Sequence, residues 1–320
     1  MLNYLLLIVG LILLIKGADW LVRGASSIAR SLHISPFVIG LTVVSFGTSL
    51  PELVIGIAAG LQETPNLTIG NVVGSNIANI LLILGVSSVI YPLQASRGTI
   101  WRELPFTLVA SLVLAALLND TLLDGSPEST LGHADGLILL AFFSIFLYYV
   151  AQIIRATPDP EFMGVQASDP PLRSTLEVIA GLVALIIGGH LTVDTAVRIA
   201  ESWGMSQVFI GLTVIAVGTS LPELATSAVA AYKKNPDIAV GNVVGSNIFN
   251  IFIVLGLSAQ VMPLPFDPLY NFDVGFMIVT NLVLFLVMFT GKERRTIQRW
   301  EGGLFVASYV IYLAYLVNRG

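Results

Sequence analysis

Two glutamates, Glu52 and Glu223, end the same polar phrase, Gly-Thr-Ser-Leu-Pro-Glu, inside stretches that are otherwise apolar. A carboxylate at membrane depth is costly and usually functional. Hard oxygen donors precede each one: Thr48 and Ser49 before Glu52, Thr219 and Ser220 before Glu223. Pro51 and Pro222 lack an N–H, and a proline ring clashes with the preceding turn, so each helix is expected to break or bend beside its glutamate. Carbonyls freed by a break must be buried in protein or line a wet cavity. Carboxylate, hydroxyl and carbonyl oxygens together suit Na⁺ or Ca²⁺ and not soft metals. The same letters also fit a capping box, with Ser49 and Glu52 (or Ser220 and Glu223) opening a new helix that has proline in its first turn. Capping alone leaves unexplained why the box recurs within the membrane in both copies, so ion coordination is the favoured reading.

A second phrase, Gly70-Asn-Val-Val-Gly-Ser-Asn-Ile77, returns as Gly241–Ile248 at the same offset, the 171 residues that separate Glu52 from Glu223. Gly70-xxx-Gly74 is a close-packing signature between membrane helices. Ser75 and Asn79 are four apart and share a helix face, as do Ser246 and Asn250. These four are candidate site oxygens, with interhelical hydrogen bonding as the plainer alternative. Asn71, Asn76, Asn242 and Asn247 divide evenly between those roles. Two ionised glutamates would balance one dehydrated Ca²⁺, which takes about six to eight oxygens. Smaller overlapping pockets in the same oxygens would serve monovalent ions. A site that must be charge-compensated before the protein changes shape gives obligatory exchange.

The elements that must position these groups follow from composition. Hydrophobic residues make up 55% of the chain and charged residues 11%, with a mean hydropathy of +0.87. A water-soluble domain of this length needs far more charge to cover its surface. The absence of cysteine excludes disulfides, thiolate catalysis and Cys-based zinc sites. No basic tract points to nucleic acid. A bilayer core of about 30 Å needs about 20 apolar residues of helix. Ten segments meet that test: 3–24, 37–61, 68–91, 103–118, 136–154, 175–198, 208–232, 239–262, 274–290 and 302–317. The offset carries the second and third onto the seventh and eighth. Five spans per copy would make the second copy enter from the opposite face. The expected fold is therefore an all-α integral membrane protein of ten transmembrane helices. It is laid out as two inverted-topology five-helix repeats (1–154 and 175–320) with helices 2 and 7 broken and a Pro-rich linker at 155–174.

Orientation follows from the loops. Those after odd-numbered spans hold Arg23, Arg30, Arg97, Arg102, Arg155, Arg173, Lys233, Lys234, Lys292, Arg294, Arg295 and Arg299, against Arg198 and Arg319 in the opposite set. The positive-inside rule then puts both termini outside. The apolar N-terminus reads as a retained first span and not a removed signal peptide. Lys16 and Asp19 read as a neutralising pair in span 1; His190 and Asp194 sit four apart in span 6, its symmetry mate, with proton sensing as their lesser reading, and His33 and His133 fall in loops. Trp20, Trp101, Trp203 and Trp300 fall near predicted span ends, as interfacial anchors should. The expected surroundings are a lipid bilayer, with no cofactor and no obligate protein partner evident.

The duplicated, inverted pairing of Gly-Thr-Ser-Leu-Pro-Glu-Leu with Gly-Asn-Val-Val-Gly-Ser-Asn resembles the calcium/cation antiporter superfamily, and most of all its prokaryotic sodium/calcium exchanger branch. The resemblance implies antiport of Ca²⁺ against Na⁺ by alternating access, with spans 1 and 6 sliding over a fixed core, in a prokaryotic plasma (inner) membrane. By the family's pattern the ligands are Thr48, Ser49, Glu52, Thr219, Ser220 and Glu223, joined by Ser75, Asn79, Ser246 and Asn250 and by the carbonyls of Ser45 and Ala216. Several such exchangers carry Asp where this chain has Asn250, which leaves two carboxylates here. Proton-coupled relatives usually carry Glu where this chain has Gly74 and Gly245, which favours Na⁺ over H⁺. Proton/calcium exchange on the same fold is the alternative, and a passive cation channel the next. A membrane enzyme is disfavoured, because neither repeat core has a histidine and no nucleophile elbow is present.

Overall fold

The computed structural model describes residues 2–61, 66–123, 125–126, 128–156, 170–205, 216–290 and 294–319. Among them, nine helical runs are long and apolar enough to cross a membrane. They are α1 (Leu2–Leu32), α2 (Pro36–Ala59), α3 (Thr68–Ile90), α4 (Thr99–Leu117), α5 (His133–Arg155), α6 (Pro171–Ser202), α8 (Pro236–Val261), α9 (Pro268–Val287) and α10 (Arg299–Arg319). A shorter helix, α7 (Leu221–Tyr232), occupies the end of the remaining predicted span. Residues 208–215 of that span, and most of the 155–174 linker, lie outside the described residues. The linker's end is helical: Pro170 is the N-cap of α6 and Pro171 its first residue.

Two helices run well past their predicted ends. α1 continues to Leu32, and α6 spans Pro171–Ser202 instead of 175–198. Arg23, Arg30, Arg173 and Arg198 therefore sit on helices and not in loops. Trp20 likewise lies inside α1, while Trp203 caps α6. The apolar window stops at the first charges, but the helices do not, because those charges find partners. Arg23 donates to Asp19 Oδ2 at 2.7 Å, and Arg173 lies 3.6 Å from Glu177 one turn on. Lys16 is not the ion-pair partner of Asp19 as expected. Lys233, at the end of α7, takes that place at 2.5 Å. α1 ends where His33 turns to φ 56° and Ser35 caps Pro36–Ile39. His133 opens α5 instead of sitting in a loop, its Nδ1 at 2.7 Å from the Ala259 carbonyl oxygen.

α1 and α6 pack antiparallel along a seam of small residues. Gly10 faces Gly188, Gly17 faces Gly181 and Gly24 faces Ser174, so contacts recur every seven residues on both helices. A methyl group at Gly17 would come within 2.9 Å of the Gly181 carbonyl oxygen. Ser174 Oγ donates to Ser27 Oγ at 2.8 Å on the same seam. The outer face of α1 shows Leu5, Ile8, Ile12 and Ile15, as a lipid-facing helix should.

α8 is buried along nearly its whole length and α3 along most of it, so these two form the centre. Both carry a wider, π-helical stretch at matching positions, Asn79–Leu84 and Asn250–Leu255. Two short antiparallel ribbons tie the copies together. β1 (Leu93–Gln94) pairs with β4 (Thr296–Ile297), and β2 (Ser129–Leu131) with β3 (Leu264–Phe266). Gly241 and Gly245 of α8 press on α2, where a methyl at Gly245 would meet the Leu41 carbonyl oxygen at 2.5 Å. This is the close approach that the glycine spacing predicts. For Gly70 and Gly74 no such contact is found among the described residues.

Candidate functional site

The glutamate phrases fold alike in both copies. α2 begins at Pro36, widens to a π-helical stretch at Gly40–Val44 and continues through Ser45–Thr48. Ser49 then leaves helical geometry at φ −85° and ψ 4°, and Leu50–Leu61 resumes with Pro51 and Glu52 in its first turn. In the second copy Ala216–Gly218 is a short helical piece, Ser220 sits at φ −87° and ψ 6°, and α7 starts with Pro222 and Glu223 in its first turn. A proline near the start of the new segment removes the N–H that would have closed the ladder.

Side-chain bonds at the glutamate phrases run between the two copies. Ser220 makes no side-chain cap bond. Ser49 Oγ instead donates across the molecule to Glu223 Oε1 at 3.2 Å. Four segments close into a ring through such contacts. α2 reaches α8 through Thr48 Oγ1 and Asn242 Oδ1 at 3.1 Å. The piece before α7 reaches α3 through Thr219 Oγ1 to Asn71 Oδ1 at 3.4 Å and Ser220 Oγ to Ser75 Oγ at 3.5 Å. α3 reaches α8 where Asn79 Nδ2 donates to Asn247 Oδ1 at 2.9 Å. Every link joins a residue of the first copy to one of the second.

Ser45, Thr48, Ser49, Glu52, Ser75, Asn79, Ser220, Glu223, Ser246 and Asn250 are all buried, none more than 2% exposed. Thr219 is half-buried, and Ala216 opens the short helical piece Ala216–Gly218. The Ser45 carbonyl accepts from the Ser49 N–H at 3.0 Å and from Thr48 Oγ1 at 3.3 Å. What distinguishes the centre is its unpaired oxygen. Among the described residues, both carboxylate oxygens of Glu52, Oε2 of Glu223, Oδ1 of Asn79, both polar atoms of Asn250 and the Ser246 hydroxyl are buried without a hydrogen-bond partner. Buried polar atoms are nearly always paired, so a cluster of orphans needs an explanation. These are chiefly acceptors, and the two glutamates are near enough to interact electrostatically. A hard cation satisfies acceptors and cancels that repulsion in one step.

The copies do not bond identically. Asn79 holds Asn247, whereas Asn76 turns its amide to the Val72 carbonyl oxygen at 2.7 Å and Asn250 makes no hydrogen bond. Ser49 meets Glu223, whereas Ser220 meets Ser75. Asn79 thus takes Asn247 as its hydrogen-bond partner. Asn71 and Asn242, left evenly divided by the sequence, serve as partners of the two threonines. Asn242 also donates to Ser227 Oγ at 3.0 Å. Thr226, fully buried with an unpaired hydroxyl, was missed. Its signal is its position three residues past Glu223, on the same face of α7.

Outside this ring, Asp19 anchors α1 to the turn after α7. Lys233 Nζ also donates to the Asp19 carbonyl oxygen at 3.2 Å, and Asn235 Nδ2 donates to Ser26 Oγ at 3.0 Å. His190 and Asp194 of α6 are exposed and 3.9 Å apart.

A bundle of long apolar helices around a buried oxygen cluster, shared between two copies of one sequence motif, defines a multi-pass membrane protein of the ion-transporting class. Comparison with known proteins narrows this. Residues 2–152 and 173–318 match the sodium/calcium exchanger protein family, and the chain belongs to that family. It is 38% identical to the inner membrane protein YrbG of Escherichia coli (strain K12), over 97% of this chain and 95% of that one. It is 34% identical to the sodium/calcium exchanger MaX1 of Methanosarcina acetivorans, over 98% of each chain. Among solved structures it resembles the sodium-calcium exchanger NCX_Mj, with a TM-score of 0.84 and 34% identity over 98% of both chains.

Proposed function

We propose that this chain exchanges Ca²⁺ for Na⁺ across a prokaryotic inner membrane by alternating access, through one mid-membrane site built around Glu52 and Glu223. The reading takes the fold as ten spans in two inverted five-helix repeats with both termini outside. Glu52 and Glu223 supply the charge. Thr48, Ser49, Thr219, Ser220, Ser75, Ser246, Asn79 and Asn250 supply neutral oxygens, and Ser45 and Ala216 supply carbonyls. A Ca²⁺ ion takes about six to eight oxygens at about 2.3–2.6 Å, a demand this set can meet. Na⁺ ions entering the same oxygens would replace its charge.

The observation that carries this reading is the set of buried, unpaired acceptor oxygens where all four duplicated segments meet. Exchange follows because the two carboxyl groups repel when no cation lies between them, which penalises a change of access with the site bare. The α1–α6 pair, joined backbone to backbone, is suited to move as a unit across the ring. Gly74 and Gly245 leave no carboxyl group to carry a proton at those positions, so Na⁺ is the assigned counter-ion.

The test is uptake of labelled Ca²⁺ into proteoliposomes. Outward Na⁺ gradients should drive it, proton gradients alone should not, and removal of the trans cation should stop it. Uptake that runs without any trans cation would mean a channel. Uptake driven by protons alone would mean a proton/calcium exchanger.

A further inference from the structure

Away from the ion site, a cleft of about 430 Å³ opens at the start of α4, lined by Arg97, Gly98, Trp101 and Arg102. We propose that it binds the phosphate of an anionic phospholipid headgroup.

Two arginines line it: Arg97 is exposed, and Arg102 has Glu103 and Tyr149 as near neighbours. Among the described residues neither Arg97 nor Arg102 forms an ion pair. The adjacent carboxyl group of Glu103 is buried, where it accepts from the Tyr149 hydroxyl. The neighbouring backbone brings more positive charge. The Ala95 N–H donates to the Arg295 carbonyl oxygen at 2.8 Å beside the β1–β4 ribbon, and Arg294, Arg295 and Arg299 are exposed there. Arginine presents a planar fork of donors that matches phosphate oxygens in pairs.

One wall of the cleft is apolar. Trp101 is 58% exposed and stands edge-on to Phe285 and Phe289 of the α9 end, with ring centroids 6.0 and 5.5 Å away. Phe289 is itself 43% exposed. An interfacial indole beside exposed phenylalanine suits the junction of headgroup and acyl chain, and a free anion would gain nothing from it. Basic pockets between membrane helices on the positive face are favoured seats for anionic headgroups. The cleft volume falls within the usual range for small-ligand sites. The occupant would bridge α4 and α9, one helix from each copy.

The experiment uses the full chain in detergent, with lipid binding followed by native mass spectrometry. Phosphatidylglycerol, phosphatidylcholine and inorganic phosphate are the three probes. Wild-type protein should retain phosphatidylglycerol in preference to phosphatidylcholine. Combining Arg97→Gln with Arg102→Gln should weaken that retention roughly thirty-fold, at about a five-fold loss per surface arginine. Arg97→Gln alone, at an exposed loop position, should lose about five-fold. A matched pair on the same basic face, Arg155→Gln with Lys234→Gln, should change retention by less than about three-fold. An equal loss in that pair would mean general surface charge and overturn the site. Equal retention of both lipids, or full displacement by inorganic phosphate at the lipid's own concentration, would overturn the lipid assignment.

Discussion

Replacing Glu52 by Gln removes one negative charge from the ring and keeps its size. Among the described residues neither oxygen of Glu52 has a hydrogen-bond partner of ordinary geometry, so little native bonding is lost. The amide is buried as the acid was but carries no charge to desolvate, so the ion-free fold should be unchanged or somewhat more stable. Cation binding should respond the opposite way. Truncating one side of a buried charge pair costs about 2–5 kcal/mol, a roughly thirty- to several-thousand-fold weaker Kd at about 1.4 kcal/mol per decade. Thermal unfolding of the purified protein, in chelator and then in Ca²⁺, reads both effects. Calcium at a hundred times the wild-type Kd stabilises by about 2.7 kcal/mol, whereas a Kd one hundred times weaker leaves about 0.4 kcal/mol. Glu223→Gln should behave alike in Ca²⁺, and its amide oxygen can still accept from Ser49. Both variants should fail to take up Ca²⁺ into Na⁺-loaded vesicles. Full calcium stabilisation in Glu52→Gln would refute the site. Unfolding in chelator alone would show that the glutamates are structural.

The other expectations are narrower. Asn250→Asp adds a third carboxyl group beside two unpaired ones, and should alter Na⁺ dependence and the pH profile of exchange more than it alters unfolding temperature. Gly181→Ala would set a methyl 2.7 Å from the Gly17 carbonyl oxygen, and should cost about 1–3 kcal/mol in thermal stability. Gly275→Ala, with open space around it, should be neutral or gain up to about 1 kcal/mol. Asp19→Asn breaks pairs with both Arg23 and Lys233 that are about a third exposed. Its cost should stay near 1 kcal/mol or less and shrink in high salt, as unfolding at two ionic strengths would show.

The central contacts were legible where chemistry and repetition coincide. Glu52, Glu223 and their hydroxyl neighbours declare themselves because polar letters recur in apolar surroundings, and the fold draws them into one ring. The ends of α1 and α6 were hidden because hydropathy falls at Arg23 and Arg173, while helix formation depends on whether such charges find partners. The α1–α6 seam was legible in principle, since Gly10, Gly17 and Gly24 are spaced by seven, but glycines outside the repeated phrases drew no notice. The choice of Asn247 over Asn250 by Asn79 could not be read. It depends on how two helices are rotated against each other, which identical sequences leave open. The π-helical stretches at Asn79 and Asn250 have no sequence mark of their own.

Matching copies that bond differently hold a spare set of contacts. Ser220 could take up with Glu52 as Ser49 has with Glu223, and Asn250 with Asn76 as Asn79 has with Asn247. Trading one pattern for the other would break and make bonds of the same kinds. In the exchange proposed above, the two patterns would give two shapes with bonds of the same kinds and no part reserved for switching, and the ions bound would choose between them.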